Sequence, residues 1–171
     1  MGGIAKHATL AVLLLLVLLR PVSVTARDGG AEASAAVRAT IEAFFDAMSA
    51  HDADAMAALL VEGGVAATVR EHGDGDAETQ ARIIPLAELP RIFAGNTDAI
   101  RERIWDAEIR IDDSIATVWA PYDFHLNGDF DHCGFDAFQL LKLDGRWRIV
   151  SIVWTSRTQD CPPGAASPSD R

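Results

Sequence analysis

From Ile104 onward the apolar residues repeat every second position, and Asp112-Asp113, Asn127-Gly128 and Asp144-Gly145 divide the run into four extended pieces. Asn-Gly and Asp-Gly are the strongest two-residue hairpin signals, because a type I′ turn needs positive φ at both central residues. The C-terminal half is therefore expected to be an antiparallel meander whose side chains alternate between two faces. This is the feature that most restricts the fold.

The preceding half has a different period. In SAAVRATIEAFFDAMSAHDADAMAALL the residues Val37, Ile41, Phe44, Phe45 and Met48 form one helical stripe, as in an amphipathic helix. His51-Asp52 interrupts it, and Asp52 suits the N-cap of a second helix carrying Met56, Leu59 and Leu60, ended by Gly63-Gly64. VAATVR then reads as a short strand, EHGDGDAETQ as a polar loop, and ARIIPLAELPRIFAG as a strand start followed by a short helix around Leu89 to Phe93 that Gly95 stops. Helices followed by a run of strands predict an α+β domain.

The first residues, MGGIAKHATLAVLLLLVLLRPVSVTA, place Lys6 before an apolar stretch from Ala8 to Leu19 and small residues before Arg27. That order is expected of a cleaved signal peptide at 1–26, with export to the periplasm or the medium. The stretch falls short of the roughly 20 apolar residues of a membrane span, so no stable membrane anchor is expected. Cleavage would remove Lys6 and Arg20, leaving 145 residues with 13 basic and 25 acidic side chains and a formal charge of 13 − 25 = −12. Such a balance repels phosphate backbones and anionic headgroups, so no nucleic-acid partner is expected. The expected layout is a flexible leader at 27–33, one domain at 34–160, and a disordered tail, CPPGAASPSDR, at 161–171.

The two cysteines, Cys133 and Cys161, belong to the exported part and could pair there. A bridge would close a loop of 29 residues and stabilise the fold by about 3.6 kcal/mol in the chain-entropy account. Strand geometry alone leaves the bridge open, since the chain must bend back between Arg157 and Asp160.

The opening IEAFFDAMSAHDADAMAALL, the meander and the closing hairpin DGRWRIVSIVWT resemble the nuclear transport factor 2-like superfamily, which includes SnoaL-like cyclases, ketosteroid isomerase and scytalone dehydratase. Gly145, Trp147 and Ile149 of that hairpin carry the likeness most specifically, and it spans residues 34–158. The resemblance implies a cone-shaped, cystatin-like fold with N-terminal helices packed on a curved antiparallel sheet around a pocket, and a homodimer formed through the sheet. The tyrosine that ketosteroid isomerase carries on its first helix is replaced here by Phe44 and Phe45, so that mechanism does not carry over.

Two-residue turns fix which residues oppose one another. About Asn127-Gly128, Asp123 is expected opposite His132, His125 opposite Phe130, Tyr122 opposite Cys133 and Trp119 opposite Asp136; about Asp144-Gly145, Asp136 is expected opposite Val153 and Phe138 opposite Ser151. One face then carries Trp119, Asp123, His125, His132, Asp136, Phe138 and Ser151. Aromatics mixed with a few ionisable groups suit a small-ligand pocket. Within it Asp123 and His132 are the candidate pair for acid-base chemistry, the carboxylate orienting the ring, although such a pair is also an ordinary surface contact. Trp119, His125, Asp136, Phe138 and Ser151 are the candidate ligand-binding residues. The opposite face, with Tyr122, Phe124, Phe135 and Trp154, is expected to be covered by helices or by another subunit.

Asp123, His125 and His132 could supply zinc-type ligands. The two histidines lie diagonally and lack HExxH or CxxC spacing, so no metal is expected. HGDGD at 72–76 lacks the glutamate of an EF-hand loop. No phosphate loop, dinucleotide fingerprint or Gly-x-Ser-x-Gly appears, so no cofactor is implied. The expected role is binding of a small, partly apolar molecule without turnover, the alternatives being an isomerase, dehydratase or cyclase, or a dimerising assembly module.

Overall fold

The computed structural model describes residues 26–70 and 80–166. All of the expected signal segment except Ala26, and the HGDGD loop, lie outside the described residues. Helix α1 (Ala26–Ser49) buries Val37, Ile41, Phe44, Phe45 and Met48, which is the stripe read from the sequence. It begins earlier than expected: residues 27–33, read as a leader, form its first turns, where alanines favour helix despite Gly29 and Gly30. His51 breaks the helix with φ of 54°, and Asp52 caps α2 (Ala53–Leu59) by accepting from Ala55 N at 2.9 Å. Helix α2 stops at Leu59, before the Gly63-Gly64 expected to end it, because the chain enters β1 (Leu60–Arg70) at once.

Strand β2 (Gln80–Pro85) and α3 (Leu89–Ala94), stopped at Gly95, lead into the meander. It comprises β3 (Ile100–Ile104), β4 (Glu108–Asp112), β5 (Ile115–Leu126), β6 (Asp129–Leu143) and β7 (Arg146–Ser156). The strands form one sheet in the order β2-β1-β7-β6-β5-β3, with β4 pairing the other end of β5. All pairings are antiparallel except β1 with β7. The turns Asn127-Gly128 (φ 54° and 88°) and Asp144-Gly145 (φ 50° and 78°) have the two positive φ angles that their residues foretold. The first turn instead lies at Asp113-Ser114, one residue later than expected.

Two irregularities bend the long strands. Near the Asn127-Gly128 turn His125 faces Phe130, but the next pair is Phe124 with His132, so Asp131 is an extra residue in β6. In β7, Ile149 faces Leu140 whereas Ser151 faces Gln139, so Val150 is extra. A bulge increases local twist and curls the sheet. The three helices cover its concave side, where Phe138 meets Phe44 and Phe45 edge-on at 6.5 and 6.0 Å. That packing leaves the core between helices and sheet, with Ile149, Leu140, Val118 and Met56 buried in it.

Each bulge shifts the pairing by one, which overturns the facing pairs read from the sequence except His125 with Phe130, next to the turn. Asp123 faces Cys133 instead of His132, Tyr122 faces Gly134 instead of Cys133, and Trp119 faces Ala137 instead of Asp136. Asp136 faces Trp154, and Phe138 faces Ile152. Because side chains alternate along a strand, a one-residue slip exchanges the faces.

Of the expected tail, residues 161–166 are described, and they are tied to the sheet. Cys133 and Cys161 are joined by a disulfide. Beyond it Trp105 Nε1 donates to Pro163 O at 2.9 Å, and Ala166 N donates to Asp123 Oδ2 at 2.9 Å. The chain turns back at Asp160, whose φ is 50°. Among the described residues no helix is long and apolar enough to cross a membrane.

Candidate functional site

Between the helices and the concave side of the sheet lies a cavity of about 180 Å³. Its walls are mostly aromatic and aliphatic. Phe44, Phe45 and Met48 come from α1 and Leu89 and Phe93 from α3; the sheet adds Tyr122, Phe124, Phe138, Ile152 and Trp154. Three ionisable groups interrupt them: Glu102 from β3, and His132 and Asp136 from β6.

The two acids form the polar centre of the cavity. Strands β3 and β6 flank β5, so Glu102 and Asp136 reach toward one another from either side of it and share a hydrogen bond. Asp136 is only 2% exposed, and its Oδ2 has no hydrogen-bond partner among the described residues. Burial pushes the Asp136 carboxyl up to about 7, with the hydrogen bond from Glu102 opposing the rise. Glu102 is raised well above its ordinary range, first by burial and then by the charge and hydrogen bond of Asp136. Two carboxyls in one desolvated site cannot both ionise cheaply. The pair therefore holds a proton at neutral pH, Glu102 donating it to Asp136.

Tyr122 packs beside this pair. Facing Gly134, it has no side chain in its way across β6, and its hydroxyl donates to Thr155 O at 2.6 Å. A Cβ at position 134 would stand 2.1 Å from that same oxygen, so the position requires glycine. Burial and the nearby carboxyls raise the phenol out of the physiological range, so the hydroxyl keeps its proton and donates it to the Thr155 carbonyl. The His132 ring stacks on Phe124 at 4.8 Å and meets Asp131 Oδ1 through Nδ1 at 2.6 Å. The bulge residue thus orients the histidine at the cavity wall.

The sequence-derived candidates divide between the two sides of the sheet. His132, Asp136 and Phe138 line the cavity. Asp123, His125, Trp119 and Ser151 do not. Asp123 is fully buried on the other side, accepting hydrogen bonds from Arg103 Nε (2.8 Å) and Nη2 and from Ala166 N, with His125 Nε2 3.2 Å away but not hydrogen-bonded to it. Burial alone would raise its pKa, but Arg103, Ala166 and His125 together hold it below the ordinary aspartate value. This group is a structural anchor for the C-terminal segment, and the expected Asp123–His132 pair does not form. Trp119 is half exposed and stacks on Phe135 at 5.1 Å, while Ser151 pairs with Gln139 and Val65 in the same outer layer. Among the described residues no three His, Cys, Asp or Glu side chains converge as metal ligands, and Asp123 and His125 stand on the side opposite His132.

Sequence reasoning missed Glu102, yet a signal existed. Ile100, Glu102 and Ile104 alternate through β3, so the acid occupies an inward place in an apolar row. It also assigned Tyr122, Phe124 and Trp154 to the other face, an error that follows from the bulges.

What the site can do follows from its parts. It offers a small apolar enclosure, one buried oxygen lacking a donor, and a carboxyl poised near neutrality. Such an arrangement can accept a hydrogen bond from a ligand or take up a proton.

A protein-family model described as "Putative lumazine-binding" matches residues 32–155. No curated protein sequence matches the chain. Among solved structures, a protein of unknown function from Mycobacterium tuberculosis is similar at 16% identity with a TM-score of 0.64, covering 82% of this chain and 81% of its own. An NTF2-like protein with a cystatin-like fold from Novosphingobium aromaticivorans is 18% identical with a TM-score of 0.62, over 90% and 97% of the two chains. A "putative dehydratase from the NTF2-like family" of Streptomyces avermitilis is 17% identical with a TM-score of 0.56, over 77% and 98%. At these identities the likeness is one of fold. With the family match over most of its length, the chain belongs to the family described as putative lumazine-binding, and its helices packed on a curved, largely antiparallel sheet give it the fold of the NTF2-like proteins it resembles.

Proposed function

We propose that this protein is exported and binds a small, partly apolar molecule in the concave cavity without transforming it. The observation that carries this reading is the unpartnered Oδ2 of Asp136, buried at the edge of an aromatic enclosure. A buried acceptor without a donor costs roughly 1–3 kcal/mol, and a ligand donor would recover that cost. The cavity, about 180 Å³, is on the scale of the roughly 150 Å³ engineered cavity that admits benzene, so the ligand has one ring or a compact pair of rings. The family description adds lumazine to the molecules to be offered. Native mass spectrometry of the purified protein, with thermal-shift screening of small ring compounds, tests the reading. A retained or stabilising ligand supports it, and a blank result from both sinks it.

A second reading, proton-transfer catalysis of the isomerase or dehydratase kind, is favoured by the Asp136 carboxyl near 7, the range that suits a general base. Its base would be Asp136, with Glu102 beside it. A turnover by the wild-type protein that Asp136→Asn abolishes without unfolding the domain would support catalysis over binding alone.

The same proposal includes a homodimer. Ile83 (71% exposed), Trp119 (50%) and Val153 (42%) share one row across the outer face, with Ala67 and Ala137 between them. That row replaces the surface of Tyr122, Phe124, Phe135 and Trp154 suggested by the uninterrupted register, because three of those four side chains line the cavity.

A further inference from the structure

The charges around the cavity discriminate between ligands, an inference that rests on the binding reading above. The lining residues include two carboxyls and one imidazole, and neither lysine nor arginine. The helices contribute only Phe44, Phe45, Met48, Leu89 and Phe93. His132 is committed through Nδ1 to Asp131, and Arg103 to Asp123 on the other side of the sheet. Once Asp136 ionises, no lysine or arginine among the lining residues balances its charge: the basic groups nearest the cavity are His132, held by Asp131, and Arg157, whose charge acts on Tyr122 from outside the lining. The aromatic walls add to the same sign of field, since ring faces carry negative quadrupole potential. An anion entering this space would meet repulsion from the acids and from the rings.

A cation would meet the reverse. Planar, delocalised cations shed water more readily than compact ammonium groups and hold N–H donors in the plane of the ring system. Donors of that kind match carboxylate lone pairs, and charge-assisted hydrogen bonds are about twice as strong as neutral ones. We propose that the cavity selects a small planar aromatic cation with in-plane N–H donors, such as an amidine or a protonated amino-heterocycle, one N–H bonding to Asp136 Oδ2 and the ring lying among Phe44, Phe138 and Trp154. Glu102 acts as a positioning residue, its proton fixing the other oxygen of Asp136 so that Oδ2 is left for the ligand.

Three probes of nearly one shape isolate the charge: benzamidine, benzamide and benzoate, titrated calorimetrically into the protein lacking its expected signal segment, at pH 7.5. Benzamidine is expected to bind about tenfold or more tighter than benzamide, with benzoate weakest. Asp136→Asn is expected to remove that preference, with benzamidine binding no tighter than benzamide. Glu102→Gln keeps a donor to Asp136 and is expected to retain the preference, which provides a test should Asp136→Asn fold poorly. Equal binding of benzamide, stronger binding of benzoate, or a preference unmoved by Asp136→Asn would overturn the assignment. If none of the three binds, the charge assignment falls; if the ligand screens are blank as well, the binding reading falls with it, whereas a neutral or anionic ligand found there leaves that reading standing.

Discussion

Replacing Asp136 by asparagine keeps the side chain's size and a hydrogen bond to Glu102 while removing its charge. The carboxyl sits at about 7 in the fold against an ordinary value of 3.8, a difference worth about 4 kcal/mol at about 1.36 kcal/mol per unit. The sign follows from the direction of the shift. A carboxyl raised on folding contributes stability in its protonated form, fully present below about pH 4 and lost as pH rises through 7. Asparagine carries no such loss. The variant should therefore match the wild-type protein near pH 4.5 within about 1 kcal/mol, then gain on it steadily to about 4 kcal/mol near pH 8.5. For a domain of this size that difference is about 10 °C in Tm. Glu102 and Tyr122 remain in both proteins, but the charge of Asp136 helps to raise both, so the difference between the curves reports the buried carboxyl pair as a unit, with Asp136 as the group removed. Urea unfolding of both proteins at four pH values measures it. Parallel stability curves, or an asparagine variant less stable throughout, would refute the account of a buried and unbalanced carboxylate. A gain at high pH would also mark Asp136 as a residue kept at a cost to stability, which is characteristic of functional positions.

Three further outcomes are expected. Cys161→Ser opens the loop from Cys133, 28 residues apart in sequence, and should cost about 3.6 kcal/mol in urea unfolding, with reductant lowering the wild-type protein to the same level. Gly134→Ala places a Cβ at 2.1 Å from Thr155 O and should cost more than about 3 kcal/mol, whereas Gly128→Ala, in open space at φ of 88°, should cost only about 1 kcal/mol; thermal melts rank the two. Trp119→Glu, at the exposed outer row, should convert the proposed dimer to a monomer by light scattering without lowering Tm more than a few degrees.

Much of the fold could be read because its signals are local. Asn127-Gly128 and Asp144-Gly145 demanded turns with positive φ, and the spacing from Val37 to Met48 demanded one buried helical face. The candidate site depended on register, which is not local. Asp131 and Val150 each insert one residue into a long strand, and neither is a glycine or proline that would announce a bulge. Those single insertions moved Asp123 away from His132 and turned Tyr122, Phe124 and Trp154 into the cavity. Glu102 was legible as an acid in the row from Ile100 to Ile104, but its meaning emerges only when β3 and β6 flank β5. The C-terminal segment misled in another way. CPPGAA has the composition of a loose tail, yet the disulfide, Trp105 and Asp123 hold it against the sheet.

The central claim is that the enclosure around Asp136 is where this protein meets its ligand. A crystal structure of the protein grown with benzamidine tests it most directly. The account predicts the ring among Phe44, Phe138 and Trp154 with a nitrogen about 2.8 Å from Asp136 Oδ2; a filled outer-face site with an empty cavity would contradict it.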